Sequence, residues 1–133
     1  PTTHLLMGSK LRFRNHLSRV ITITWAGSDR AAFRGMGKSL CDGAVWKLDL
    51  PVQGTFSTEV VLIVKIHLPN MRHTVCVEKY DCSWELRIIS ALGITKLGWK
   101  DPPSFPTHEA HFPLKLKVGN NKILIEICGR LQD

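Results

Sequence analysis

No run in the chain approaches the roughly 18 consecutive apolar residues of a membrane-crossing helix, and Pro1-Thr2-Thr3-His4 lacks the charged-then-apolar layout of a signal peptide. The expectation is a soluble protein, with an intracellular or virion location favoured. Cysteine is sparse as well. Cys41, Cys76, Cys82 and Cys128 are too dispersed for a disulfide framework, and a chain of 133 residues can bury a core without one. A hairpin turning at Glu78-Lys79-Tyr80-Asp81 would nevertheless bring Cys76 opposite Cys82. That pair is a candidate bond, with two half-buried thiols as the alternative.

The familiar enzymatic signatures are also missing. Gly35-x-Gly37-Lys38-Ser39 has the tail of a phosphate-binding loop, but the leading glycine of that motif would fall at Ala32. There is no nucleophile elbow. His108-Glu109-Ala110-His111 sets two imidazoles three residues apart, a spacing that could serve a metal on a helix, yet Pro106 and Pro113 oppose a helix there. His108 and His111 are therefore expected to be polar surface residues and not metal ligands. A zinc site from His73, Cys76 and Cys82 has suitable ligand types but lacks the tight C-x2-C knuckle. Eleven carboxylates form no acid/base pair that the sequence reveals. The expectation is a protein that is not an enzyme and needs no cofactor.

What the chain does contain is a balance of 44% hydrophobic and 22% charged residues, typical of a folded domain. With no repeat, linker or low-complexity tract, residues 1–133 read as one β-rich domain. Lys10-Leu11-Arg12-Phe13-Arg14 alternates strictly, apolar on one face and cationic on the other, as a half-buried strand should. Val20 to Trp25 is rich in β-branched residues, and the run Glu59 to Leu68 is apolar on both faces, which predicts a central strand. Further strands are expected at Val45 to Leu50, ended by Pro51, and around Thr74 to Val77. Ser28 to Arg34 is expected to form a short helix, and Ile88 to Leu92 a possible helical turn after a strand. Four prolines between Lys100 and Pro113 predict a loop over 100–113. Phe112 to Val118 and Lys122 to Cys128, around Gly119-Asn120-Asn121, read as a hairpin. The sum is a mostly β, single-domain antiparallel sandwich or barrel with one or two short helices.

Positive charge is regional. Residues 1–38 hold seven basic residues and one acid, whereas the remaining 95 hold eleven bases and ten acids. Lys10, Arg12, Arg14, Arg30, Arg34 and Lys38 are thus candidate contacts for a polyanion, either nucleic acid or an anionic membrane surface. The bland alternative is a solvated face. Phe13 and Phe33 in this region, with Trp25 and Trp46, read as core residues. Trp99, between Gly98 and Lys100, is the aromatic most open to a stacking role on a ligand.

Leu17-x-Arg19, an apolar strand ending at Trp25-Ala26, then Trp46, then Thr58-Glu59 ahead of another strand resemble part of the rhabdovirus matrix proteins. The resemblance covers less than half the chain, uses residues common in strands, and assigns no family. The leading expectation is a structural or assembly protein, of viral matrix or capsid kind, that associates with itself, with a polyanion and with other proteins as further partners. Two alternatives stand beside it: a β-sandwich module binding carbohydrate or another small ligand at Trp99 and the proline-rich loop, and a metal-dependent enzyme built on His108, Glu109 and His111.

Overall fold

Alternating apolar positions demand a second surface to cover them, and here each of two sheets supplies it for the other. The computed structural model describes residues 3–28, 30–35, 37–51, 57–67, 83–100 and 107–129; at 32, 83, 99, 100, 107 and 108 the description is of the backbone alone. The strands are β1 (His4–Met7), β2 (Lys10–Asn15), β3 (Ile21–Ala26), β4 (Gly37–Leu40), β5 (Val45–Asp49), β6 (Ser57–His67), β7 (Ser83–Ser90), β8 (Gly93–Lys100), β9 (Thr107–Lys117) and β10 (Lys122–Gly129). The first sheet has the order β1-β9-β6-β3-β4 and the second β5-β2-β10-β7-β8. This is a sandwich and not a closed barrel.

Between the sheets lie Val60, Leu62, Val64 and Ile66 of β6 and Ala110, Phe112, Leu114 and Leu116 of β9, facing Leu11 and Phe13 of β2, Ile123, Ile125 and Ile127 of β10, and Leu86 and Ile88 of β7. Fully burying each such large side chain contributes about 1.5–3 kcal/mol against leaving it exposed. Aromatics bridge the sheets: Trp46 stacks on Phe13 at 5.1 Å, Phe13 meets Trp25 edge-on at 5.8 Å, and Trp25 contacts Phe33 at 5.0 Å. Phe13 and Phe33 are both core residues as expected, Phe13 from its alternation in the strand, and both tryptophans pack against the core.

Each sheet is mixed, not purely antiparallel. β1 runs parallel to β9, and β2 runs parallel to β10. The two ends of the chain travel side by side and cross from one sheet to the other at the same level. The predicted hairpin of 112–118 with 122–128 accordingly does not form, since β9 lies in the first sheet and β10 in the second. Backbone donors of Ser9 and Lys10 both reach Asn121 O, and Gly8 N donates to Lys117 O. These bonds tie one crossover to the other. An apolar alternation broken by Gly-Asn-Asn looks the same in sequence whether its two arms pair or part.

Three further expectations are corrected. The helix at Ser28 to Arg34 is a single 3-10 turn, Ala31–Phe33, anchored by buried Phe33. No helical turn occupies Ile88 to Leu92, because β7 continues to Ser90 and turns directly into β8. Within the proline-rich stretch 100–113, β9 already begins at Thr107 and passes through Pro113. A proline is tolerated there because β1 covers that flank of β9 only from Leu114 on, leaving an edge at Pro113. Cys76, Cys82, His73 and the strand expected at Thr74 to Val77 fall outside the described residues.

Candidate polyanion-binding face

A strand that buries every second residue presents the others to solvent, and cross-strand register then decides which charges become neighbours. On the outer face of the second sheet, Lys10, Arg12 and Arg14 of β2 stand opposite Asp49, Lys47 and Val45 of β5. On their other side they meet Lys122, Leu124 and Glu126 of β10. The face continues through Ile89, Arg87 and Glu85 of β7 to Ile94, Lys96 and Gly98 of β8. Among the described residues it carries seven cations against three carboxylates. The outer face of the first sheet is closer to balance, with Lys65, Lys115 and Lys117 against Glu59 and Glu109.

All three carboxylates of the basic face are already engaged. Arg12 Nη1 donates to Asp49 Oδ1 at 2.6 Å and also reaches Leu11 O. That hydrogen bond, with the fields of Arg12, Lys10 and Lys47, holds the Asp49 carboxyl below the usual aspartate range against a smaller opposing effect of desolvation. Glu85 accepts from Arg87 Nη2 at 3.3 Å, and His16 Nε2 contacts Glu126 Oε2. Lys10, Arg14, Lys47, Lys96 and Lys122 have no ion-paired acid among the described residues. Cys128 lies on the same face, and burial pushes its thiol up, which disfavours the reactive thiolate.

Of the six cations proposed from sequence, the fold gathers Lys10, Arg12 and Arg14 on this face and places the other three elsewhere. Arg30 and Arg34 flank the 3-10 turn and each already takes part in an interaction of its own. Lys38 is exposed on β4, an edge strand of the first sheet. In their place stand Lys47, Arg87, Lys96 and Lys122, from segments whose charge looks neutral when summed along the chain. Alternation marks Lys47 and Lys122 as outward, but no local signal says that β10 lies beside β2.

Trp99 of β8 is paired by register with Trp84 of β7, and its side chain lies outside the description, as do residues 101–106. On β9, His111 Nε2 lies 2.6 Å from Glu109 Oε1, and that hydrogen bond, with the nearby Lys65, holds Glu109 below the usual glutamate range. Positions 108 and 111 are three apart on a strand, a spacing that assigns them opposite faces. A depression of about 190 Å³ on the first sheet is lined by Thr3, Gly27, Glu59, Val60, Val61, Pro113 and Leu114, with Glu59 its one ionisable residue. Comparison with known protein families, curated proteins and solved structures finds no match to this chain.

Proposed function

We propose that the protein is a non-enzymatic structural or assembly protein that binds a polyanion through the outer face of its second sheet and associates with copies of itself. The observation that carries this reading is the face itself: seven cations, three carboxylates each already engaged, and five cations with no acid partner among the described residues. Five such charges on a rigid sheet offer phosphates a ready surface, and an extended partner gains from every one of them. Self-association finds support in the open sandwich, whose outermost strands among the described residues are β1 and β4 in one sheet and β5 and β8 in the other. Edge strands present unpaired backbone groups to a second chain, and exposed Leu5 on β1 and Val45 on β5 add apolar contact.

Binding of the protein to inorganic polyphosphate, duplex RNA and phosphatidylserine vesicles tests the first part. Neutralising Lys10→Gln, Arg14→Gln and Lys47→Gln together should weaken the bound probe by about 3 kcal/mol, on the order of a hundredfold at low salt. The matched variant Lys38→Gln, Lys65→Gln and Lys115→Gln removes as much charge from other surfaces and should leave affinity nearly unchanged. Equal losses in the two variants would reduce the effect to net charge, and failure to bind any probe would end the reading. Sedimentation velocity over a range of concentrations tests self-association, which a concentration-independent monomer would exclude.

A further inference from the structure

Two of the large hydrophobic side chains most open to solvent sit together at the tip of the β7–β8 hairpin, Leu92 at 59% exposure and Ile94 at 64%. Turn positions ordinarily favour Gly, Asn, Asp or Ser, yet this tip reads Ser90-Ala91-Leu92-Gly93-Ile94 and carries no charge. Gly93 takes φ +113°, so the strained position falls on glycine, while Ala91 and Leu92 keep negative φ. Ser90 Oγ accepts from Leu92 N at 3.2 Å. The turn is built, and nothing in its folding requires a leucine at its apex.

Register extends the apolar character inward. Ile94 stands beside Ile89, and Ile89 beside Leu124, forming a strip on the outer face of the second sheet. A row of cations follows each side of it. Lys96, Arg87 and Arg14 lie on one side, with Glu126 among them, and Lys122 and Lys10 on the other, followed by Asp49 held by Arg12, at the end of the sheet where the hairpin turns. Alternate residues on a strand are roughly 7 Å apart, so the strip and its cationic borders lie within a single headgroup layer.

We propose that this hairpin tip is a membrane anchor: Leu92 and Ile94 enter the boundary between headgroups and acyl chains of an anionic bilayer, while Lys10, Lys122 and Lys96 hold the lipid phosphates. The proposal rests on the polyanion-binding reading and names its partner. Aliphatic side chains dissolve in acyl chains but offer no π-face to a nucleic-acid base, and the described strand positions of this face carry no Phe, Tyr or Trp. An apolar strip between cationic rows matches a surface that is itself apolar beneath a layer of phosphate.

The test is co-sedimentation with vesicles of phosphatidylcholine alone and of phosphatidylcholine mixed with phosphatidylserine, alongside binding to polyphosphate and duplex RNA. The protein should bind the mixed vesicles and not the neutral ones. Leu92→Ser with Ile94→Ser should weaken vesicle binding on the order of tenfold or more and leave polyphosphate binding unchanged. Lys10→Gln with Lys122→Gln should weaken both. The emission that Leu92→Trp adds to that of the parent protein's four tryptophans should shift to the blue on mixed vesicles and be quenched by brominated lipid, a readout independent of the serine variant. Polyphosphate or RNA binding without vesicle binding would overturn the anchor and spare the broader reading. Vesicle binding indifferent to Leu92 and Ile94, or a Leu92→Trp emission unchanged by lipid, would overturn the anchor too. No binding to any probe would remove both.

Discussion

Asn15 closes β2 fully buried, and its side chain works as a junction. Its amide nitrogen donates toward Arg19 O, Leu40 O and Cys41 O, and its Oδ1 accepts from Leu17 N at 2.8 Å. One residue thereby fixes the segment after β2 and the end of β4. Asn15→Ala would leave the buried Leu40 O and Leu17 N without this partner, each at about 1–3 kcal/mol if it finds no other. We expect a loss of about 2–4 kcal/mol in urea unfolding, and a change within experimental error would contradict the assigned network. Asp49 offers a second expectation at this scale. Because its folded pKa is lowered, the Arg12 pair contributes to stability above the ordinary aspartate range and loses that contribution as pH falls through the lowered value. Removing the donor with Arg12→Gln should move the Asp49 carboxyl midpoint upward in an NMR titration, and an unmoved midpoint would mean that the pair does not persist in solution.

At the scale of elements, the paired crossovers decide the topology. A Cβ added at Gly8 would lie 2.6 Å from Asn121 O and 2.9 Å from Ile123 Cγ1, so any larger residue must push the two chain ends apart. Gly8→Ala should destabilise the protein by about 1–3 kcal/mol, an overpacking effect, and hydrogen exchange should rise first in β1 and at the start of β10. Unchanged exchange there would mean that the crossovers are looser than the contact implies. The same geometry explains why β2 and β10 are adjacent: once β1 has paired alongside β9, both chains pass between the sheets together and arrive side by side. Ile123, Ile125 and Ile127 then meet the core in step with Leu11 and Phe13.

At the scale of the sandwich, the described residues make one outer face strongly cationic and the other near balance. A polyanion held by the second sheet should dissociate as salt rises, since its counterions were released on binding. The neutralised variant at Lys10, Arg14 and Lys47 should show a shallower dependence than the matched one at Lys38, Lys65 and Lys115. Parallel slopes for the two variants would argue that no particular face is used. A membrane-bound protein with an apolar tip should retain part of its vesicle affinity at salt concentrations that abolish polyphosphate binding, because acyl-chain contact is not screened.

The alternations at Lys10 to Arg14, Val20 to Trp25 and Val45 to Leu50, the two-sided apolar run in β6 and the spacing of Gly, Pro and Asn were enough to determine a mostly β protein with Phe13, Trp25 and Trp46 packed on the core. Those signals are local, arising from a side-chain period of two and from backbone positions that few residues tolerate. The tertiary structure alone decided which strands are neighbours, because pairing is a non-local choice written in no single segment. That choice turned the supposed terminal hairpin into a crossover and placed Thr107 to Pro113, the end of the proline-rich stretch, in β9. It also set Lys122 beside Lys10 across most of the chain's length, while directing Arg30, Arg34 and Lys38 away from them. Charge counted along the sequence ranks residues by proximity in the chain, whereas a binding face is assembled by register, and only the packed sheets supply the register.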